Sequence, residues 1–216
     1  MNKAVRFWDR LRRKILTLAT GRCAFCRMPT HSGSCLCDDC RKKLLPLDLE
    51  IPGRPYEKAF CAYVYEGVGR SILLRYKFSD NWVYYLDPLF DGIYDRYCRA
   101  LSGERFDAVV PVPAYRKKVT HLTPLAKRFG AYTDIPYKPE YLIKKKKTEK
   151  QHLLSAARRH TNLIGAFSAS KEVKGKRILL LDDIMTTGST AAECSETLLK
   201  AGAEAVVVLA AFHTMP

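Results

Sequence analysis

No apolar run in this chain is long enough to cross a bilayer; the longest candidate, AVVVLAAF at residues 205–212, is strand-sized. A secretory leader is also missing. The opening MNKAVRFWDRLRRKILTLAT scatters charges throughout and has no uninterrupted apolar centre, so a cytoplasmic location is expected. Neither G-x-x-x-x-G-K-[ST] nor G-x-G-x-x-G occurs, which leaves P-loop and dinucleotide-binding folds without support. Acids are scarce: 22 stand against 37 Lys and Arg, for a net charge of +15. An excess of that size favours an anionic partner, whether nucleic acid, a phosphorylated metabolite or anionic lipid. No internal repeat is visible.

What the chain does have is cysteine in one place. Five of its eight cysteines fall between residues 23 and 40, in GRCAFCRMPTHSGSCLCDDC. Thiols stay reduced in the cytoplasm, so clustering there argues for metal before disulfides. Cys23-x-x-Cys26 and Cys37-x-x-Cys40, with ten residues between the pairs, are two knuckles able to place four thiolates around one tetrahedral zinc ion. Cys35 could replace Cys37, and His31 is a lesser alternative ligand. A site closed by four thiolates would be structural. Cys61, Cys98 and Cys194 read as plain core residues.

Around this cluster the pattern is α/β. Ala4, Trp8, Leu11, Ile15 and Leu18 alternate in steps of four and three, one apolar face of an N-terminal amphipathic helix within residues 1–20. The cysteine module occupies 21–45. A linker at 46–58 follows, its prolines and glycine unable to hold a helix. Residues 59–216 then alternate strands and helices: strands at 59–65, 106–112, 137–143, 176–182 and 205–210, helices at 68–78, 84–100, 122–131 and 189–200, with Gly202 where a C-cap belongs. Such alternation implies a mostly parallel sheet covered on both faces. Residues 144–162, KKKKTEKQHLLSAARRHTN, form a cationic stretch without period. They read equally as a mobile lid, a contact for nucleic-acid phosphates or a solvated surface.

The most informative segment is ILLLDDIMTTGST at 178–190: a buried strand, two acids at its tip, a tight loop, then a helix. Ligands of parallel sheets bind at such carboxyl ends. Thr186, Thr187, Gly188, Ser189 and Thr190 surround a helix N-terminus, where free N–H groups and short hydroxyls can hold a phosphate. Gly188 lets the backbone come close. Asp182 and Asp183 suit the vicinal hydroxyls of a sugar, so the whole fits a ribose 5-phosphate. An acid pair could instead hold magnesium, or only cap the following helix.

This run resembles the phosphoribosyl pyrophosphate (PRPP) signature of type I phosphoribosyltransferases. With the cysteine module, Tyr65-Glu66-Gly67, Tyr76-Lys77-Phe78 and Gln151…Leu154…Arg159…Asn162…Gly165-Ala166-Phe167, the chain from about Gly21 onward is similar to the ComF/GntX family of competence-associated proteins. The resemblance implies a type I phosphoribosyltransferase-like fold behind a zinc module. It further implies PRPP bound by Asp182, Asp183 and Thr186–Thr190, accompanied by magnesium. Val112, Pro113 and Ala114, with Arg116 and Lys117, would form the pyrophosphate loop, which in type I enzymes often holds a strained peptide. Where relatives continue with Arg-Gly-aromatic-Asn-Gln, this chain reads KKVTHLTPLAKRFG, a departure that bears on transfer activity more than on PRPP binding. Two functions follow. One is a PRPP-binding protein handling single-stranded DNA in DNA uptake and natural transformation, alongside other competence proteins, where Tyr132, Tyr137 and Tyr141 could stack on bases but fit a strand core better. The other is an active transferase moving ribose 5-phosphate onto a nitrogenous acceptor.

Overall fold

The computed structural model describes residues 11, 21–23, 25–30, 36–48, 50–52, 54–79, 82–115, 120–147 and 163–215. Apart from Leu11, which is helical, the expected N-terminal helix lies outside the described residues, as do His31, Cys35, Arg116, Lys117, Lys118 and residues 148–162.

In chain order the elements are α1 (Asp38–Lys42), β1 (Lys58–Val64), α2 (Gly67–Phe78), α3 (Leu86–Ala100), β2 (Ala108–Pro111), α4 (Leu122–Thr133), β3 (Leu142–Lys144), β4 (Phe167–Ala169), β5 (Arg177–Met185), α5 (Ser189–Lys200) and β6 (Ala205–His213). The main sheet has the order β1-β6-β5-β2, and every pair in it is parallel. Its central strands carry long apolar runs, Ile178–Leu181 in β5 and Ala205–Phe212 in β6, because both faces are covered. Phe60, Val109, Leu179, Leu181, Val207 and Leu209 face one layer with Ile72, Leu89 and Phe129 of α2, α3 and α4. Their neighbours Cys61, Val110, Leu180 and Val208 face the other with Cys194 and Leu198 of α5. Side chains that alternate along each strand thus serve two cores.

Both edges of the sheet are closed. The 46–58 linker runs antiparallel to β1, with Leu47 N–H donating to Ala62 O (2.9 Å) and Ile51 N–H to Ala59 O (2.8 Å). Beyond β2, Val109 N–H reaches Pro136 O and Lys138 N–H reaches Val109 O. An edge so occupied offers no template for further pairing. The cysteine module is part of the first core: Cys23, Leu36, Cys40 and Leu44 pack in one cluster with Phe60 and the helices.

Several expectations change. The 137–143 strand is instead a 3-10 turn over Pro139–Tyr141 leading into β3, which pairs antiparallel with β4 in a separate ribbon. Pro136 and Pro139 cannot donate to a ladder, which ends pairing there. β5 does not stop at the acids: it continues to Met185, paired with β6 through Met185↔His213. Cys98 is exposed, since the buried face of α3 runs through Leu89, Phe90, Ile93 and Tyr97. Cys61 and Cys194 are buried as expected. Tyr141 is buried, and Tyr132 packs edge-on against Phe90 and Tyr94, so both serve the core. Among the described residues the cis peptide is Arg54–Pro55, away from the Val112–Ala114 loop. No helix among them is long and apolar enough to cross a membrane.

Candidate functional site

At the carboxyl end of the sheet, β5 gives way to Thr186-Thr187-Gly188 and then to α5. Gly188 has φ +74°, a left-handed conformation that a side chain would strain, and a β-carbon there would lie 3.5 Å from the Tyr56 hydroxyl. Thr186 and Thr187 are exposed, and the Thr187 and Ser189 hydroxyls lie 2.8 Å apart. The first-turn N–H groups of a twelve-residue helix and these hydroxyls give the loop the makings of an anion cradle. The β2 tip lies alongside, because Val112 N–H donates to Leu181 O at 2.9 Å. The tip residues Val112, Pro113 and Ala114 border a cavity of about 620 Å³ that continues past Thr120, Tyr137 and Lys144. Of the residues expected to form a pyrophosphate loop, Arg116 and Lys117 fall outside the described residues.

Asp182 and Asp183 are both buried, 7% and 4% exposed, and they are not equivalent. Burial and the neighbouring Asp183 charge push the Asp182 carboxyl up to about 8, although its Oδ1 accepts the Asp183 N–H at 2.8 Å. Burial also works against charge on Asp183, but a His121 contact and the Lys77 ammonium outweigh it and hold that carboxyl below the usual aspartate range. Lys77 Nζ lies 2.9 Å from each Asp183 oxygen. His121 Nε2 meets Oδ2.

Three elements build this arrangement. Lys77 is the second-last residue of α2, one residue after Tyr76, whose hydroxyl donates to the His121 carbonyl. His121 is the N-cap of α4, and the turn around it is tied by Thr120 N–H donating to Thr123 Oγ1 (2.9 Å) and Leu122 N–H to Thr120 Oγ1 (3.2 Å). Sequence reasoning singled out both acids and the loop, but gave His121 no role and Tyr76-Lys77-Phe78 only a family pattern. The signal was present in those residues; the partners, 106 and 62 residues away from Asp183, were not legible.

The two expected metals fare differently. The Sγ atoms of Cys23, Cys26, Cys37 and Cys40 all lie within 4.8 Å of one another, and Cys26 and Cys37 are 3.5 Å apart. Four sulfurs about 2.3 Å from one zinc ion would be spaced in this way. Burial opposes charge on Cys23, but N–H groups of Cys26, Cys37 and Phe25 overcome it and bring the thiol down to about 6. Burial and the other three thiols push Cys40 up, a conflict that a divalent cation relieves. The donor set fits structural zinc. Magnesium is expected together with PRPP rather than in a cage of protein oxygens; of the acid pair, both Asp183 oxygens and Asp182 Oδ1 already accept protein hydrogen bonds.

The phosphoribosyl transferase domain family matches residues 95–215, more than half of the chain, and the chain belongs to that family. It is 32% identical over 114 residues to the DNA utilization protein YhgH of Escherichia coli K12, covering 50% of each chain. It is 36% identical over 110 residues to Competence protein F of Haemophilus influenzae, covering 47% of this chain and 48% of that one. These names agree with the ComF/GntX resemblance, and the chain is a ComF-like member of the family. The chain spans about half the length of the curated relatives it matches. Among solved structures, a purine phosphoribosyltransferase from Pyrococcus horikoshii aligns over 60% of this chain and 82% of its own, at 19% identity and TM-score 0.38.

Proposed function

We propose that the chain binds PRPP at the end of β5 and works with single-stranded DNA, in keeping with the competence and DNA-utilization names of its relatives. The observation that supports this reading is the adjacency of three parts: a buried acid pair, a left-handed glycine opening an α-helix, and the β2 tip one strand away. In this reading Thr186, Thr187, Gly188, Ser189 and Thr190 hold the 5-phosphate through N–H and hydroxyl donors. The ribose lies at the Asp182–Asp183 end of β5, where carboxyl oxygens can accept from a hydroxyl. The pyrophosphate extends toward Val112, Pro113 and Ala114, and magnesium enters on the ligand's own oxygens. The basic surface, with net charge +15, meets DNA phosphates.

Calorimetry with PRPP and magnesium tests the pocket. The wild type should give a saturable heat, and Gly188→Val should abolish it while leaving the zinc content unchanged. An equal heat in the variant would refute the assignment. For DNA, a binding constant that falls steeply with salt is expected; one indifferent to salt would remove phosphate contacts from the account.

A second reading, PRPP-dependent transfer to a nitrogenous acceptor, draws on the cavity of about 620 Å³ beside the β2 tip, roomy enough for a base. The acceptor nitrogen would bond to the ribose anomeric carbon as the carbon–oxygen bond to pyrophosphate breaks. Release of pyrophosphate only when a base or DNA is supplied would establish it.

A further inference from the structure

We infer that Asp183 is not itself the group that meets the ligand: it is the buried anchor of a cationic contact, Lys77, which supplies a direct donor to an anionic oxygen of a sugar phosphate. The inference rests on the proposed PRPP site and refines it. A carboxylate that grips sugar hydroxyls must present free oxygens to the pocket. Both Asp183 oxygens already carry protein donors, since Lys77 Nζ stands 2.9 Å from each and His121 Nε2 meets Oδ2 as well.

Exposure runs in the same direction. The Asp183 side chain is 6% exposed, that of Lys77 22% and that of His121 34%. The acid lies at the bottom and its partners stand between it and solvent. An ammonium has three N–H donors. Its contacts with the Asp183 carboxylate leave at least one from which a ligand oxygen would accept.

Charge leads to the same place. With Asp182 disposed to keep its proton and Asp183 matched by Lys77, the end of β5 is close to neutral. A phosphate approaching the Thr186–Thr190 cradle therefore meets no doubly charged acid pair. A long flexible lysine is seldom held in one geometry at a surface. Here the fixing is explained: α2 ends at Phe78, the Tyr76 hydroxyl ties α2 to the start of α4, and the Asp183 carboxylate is rigid in a paired strand. The consequence is a lysine preorganised for an anion, which lowers the ordering cost of binding. Asp182 is left as the acid available to a hydroxyl.

The test is calorimetric titration of PRPP, with magnesium, into the full chain carrying Lys77→Met, Lys77→Gln, Lys77→Arg, Asp183→Asn, or Lys77→Met combined with Asp183→Asn. Loss of a charge-assisted contact should weaken affinity by about tenfold or more in Lys77→Met and Lys77→Gln. Lys77→Arg, which keeps the cation, should stay within about threefold. Asp183→Asn alone should also weaken binding, because Lys77 loses its anchor. The double variant removes the unpaired buried charge, so its melting temperature should recover above that of Lys77→Met while PRPP affinity stays low. Wild-type affinity in Lys77→Gln or in the double variant would overturn the inference. So would tighter binding in Lys77→Met, which would mean that Lys77 occupies the ligand's place. If the wild type and Gly188→Val are equally silent toward PRPP, the site reading falls and this inference with it; a wild type that binds while Lys77 variants are unaffected sinks this inference alone.

Discussion

Asp182 and Asp183 share one strand, one burial class and one chemistry, yet the fold drives their acidities apart. Asp183 has a cation within hydrogen-bonding distance; Asp182 has burial and its neighbour's charge. A folded-state value near 8, above the ordinary 3.8 of an unfolded aspartate, means that Asp182 costs nothing below about pH 4 and progressively more as pH rises toward 8. Asp183 has the opposite sign: its contribution is present above the unfolded value and is lost in acid. Asp182→Asn keeps an oxygen for the Asp183 N–H and removes the charge. Its melting temperature relative to wild type should therefore increase from pH 6 to pH 9, followed by circular dichroism. A difference that is flat over that range would show that Asp182 is ionised throughout. Both acids could be found from ILLLDDIMTTGST, but their division of labour could not, because it is set by Lys77 and His121.

Among the elements, α3 shows how closely helix and sheet approach. A β-carbon on Gly92 would lie 2.1 Å from Tyr63 Cε2, so the ring of a β1 residue fills the place of a side chain. Gly92→Ala must push the ring or the helix aside, and a loss of about 1–3 kcal/mol is expected in urea denaturation. Gly103→Ala, with nothing within 4 Å of its added carbon, is the control and should change little. Equal stabilities for the two variants would deny the close approach. Periodicity located α5 at Ser189–Lys200 to the residue, because its apolar positions, the glycine before it and Gly202 after it are all local signals. It failed at 137–143, where a few apolar residues between prolines fit a strand but fold as a 3-10 turn and a short ribbon. It also ended β5 too early. Charged residues ordinarily mark a strand end, and here tertiary partners let the strand carry them further.

For the molecule as a whole, the cysteine quartet is less an appendage than a piece of the core. Cys23, Leu36, Cys40 and Leu44 pack with Phe60, Ile72 and Leu89, and the Tyr84 hydroxyl donates to Arg22 O beside the first knuckle. Losing the metal should therefore unsettle α3 and β1 as well as the module. Zinc ligation contributes roughly 10–16 kcal/mol in small modules. Even about 3 kcal/mol of that would lower the melting temperature of a chain this size by about 6–12 °C. Cys40→Ser should lose the metal, measured by plasma emission at one zinc per wild-type chain, and melt lower by at least that amount. A zinc-free variant melting with the wild type would separate the module from the core.

The amino-acid sequence alone determined the α/β class, the two cysteine knuckles and the acid-pair loop. Each is written in residues close along the chain, where helical period, knuckle spacing and a glycine at a turn act locally. Tertiary structure alone decided that Lys77 and His121 meet Asp183, that the linker becomes an edge of the sheet, and that the module shares the core. The physical reason is distance along the chain. A buried carboxylate requires a counter-charge, but only packing α2 and α4 over β5 determines which cation, from which part of the sequence, arrives to supply it.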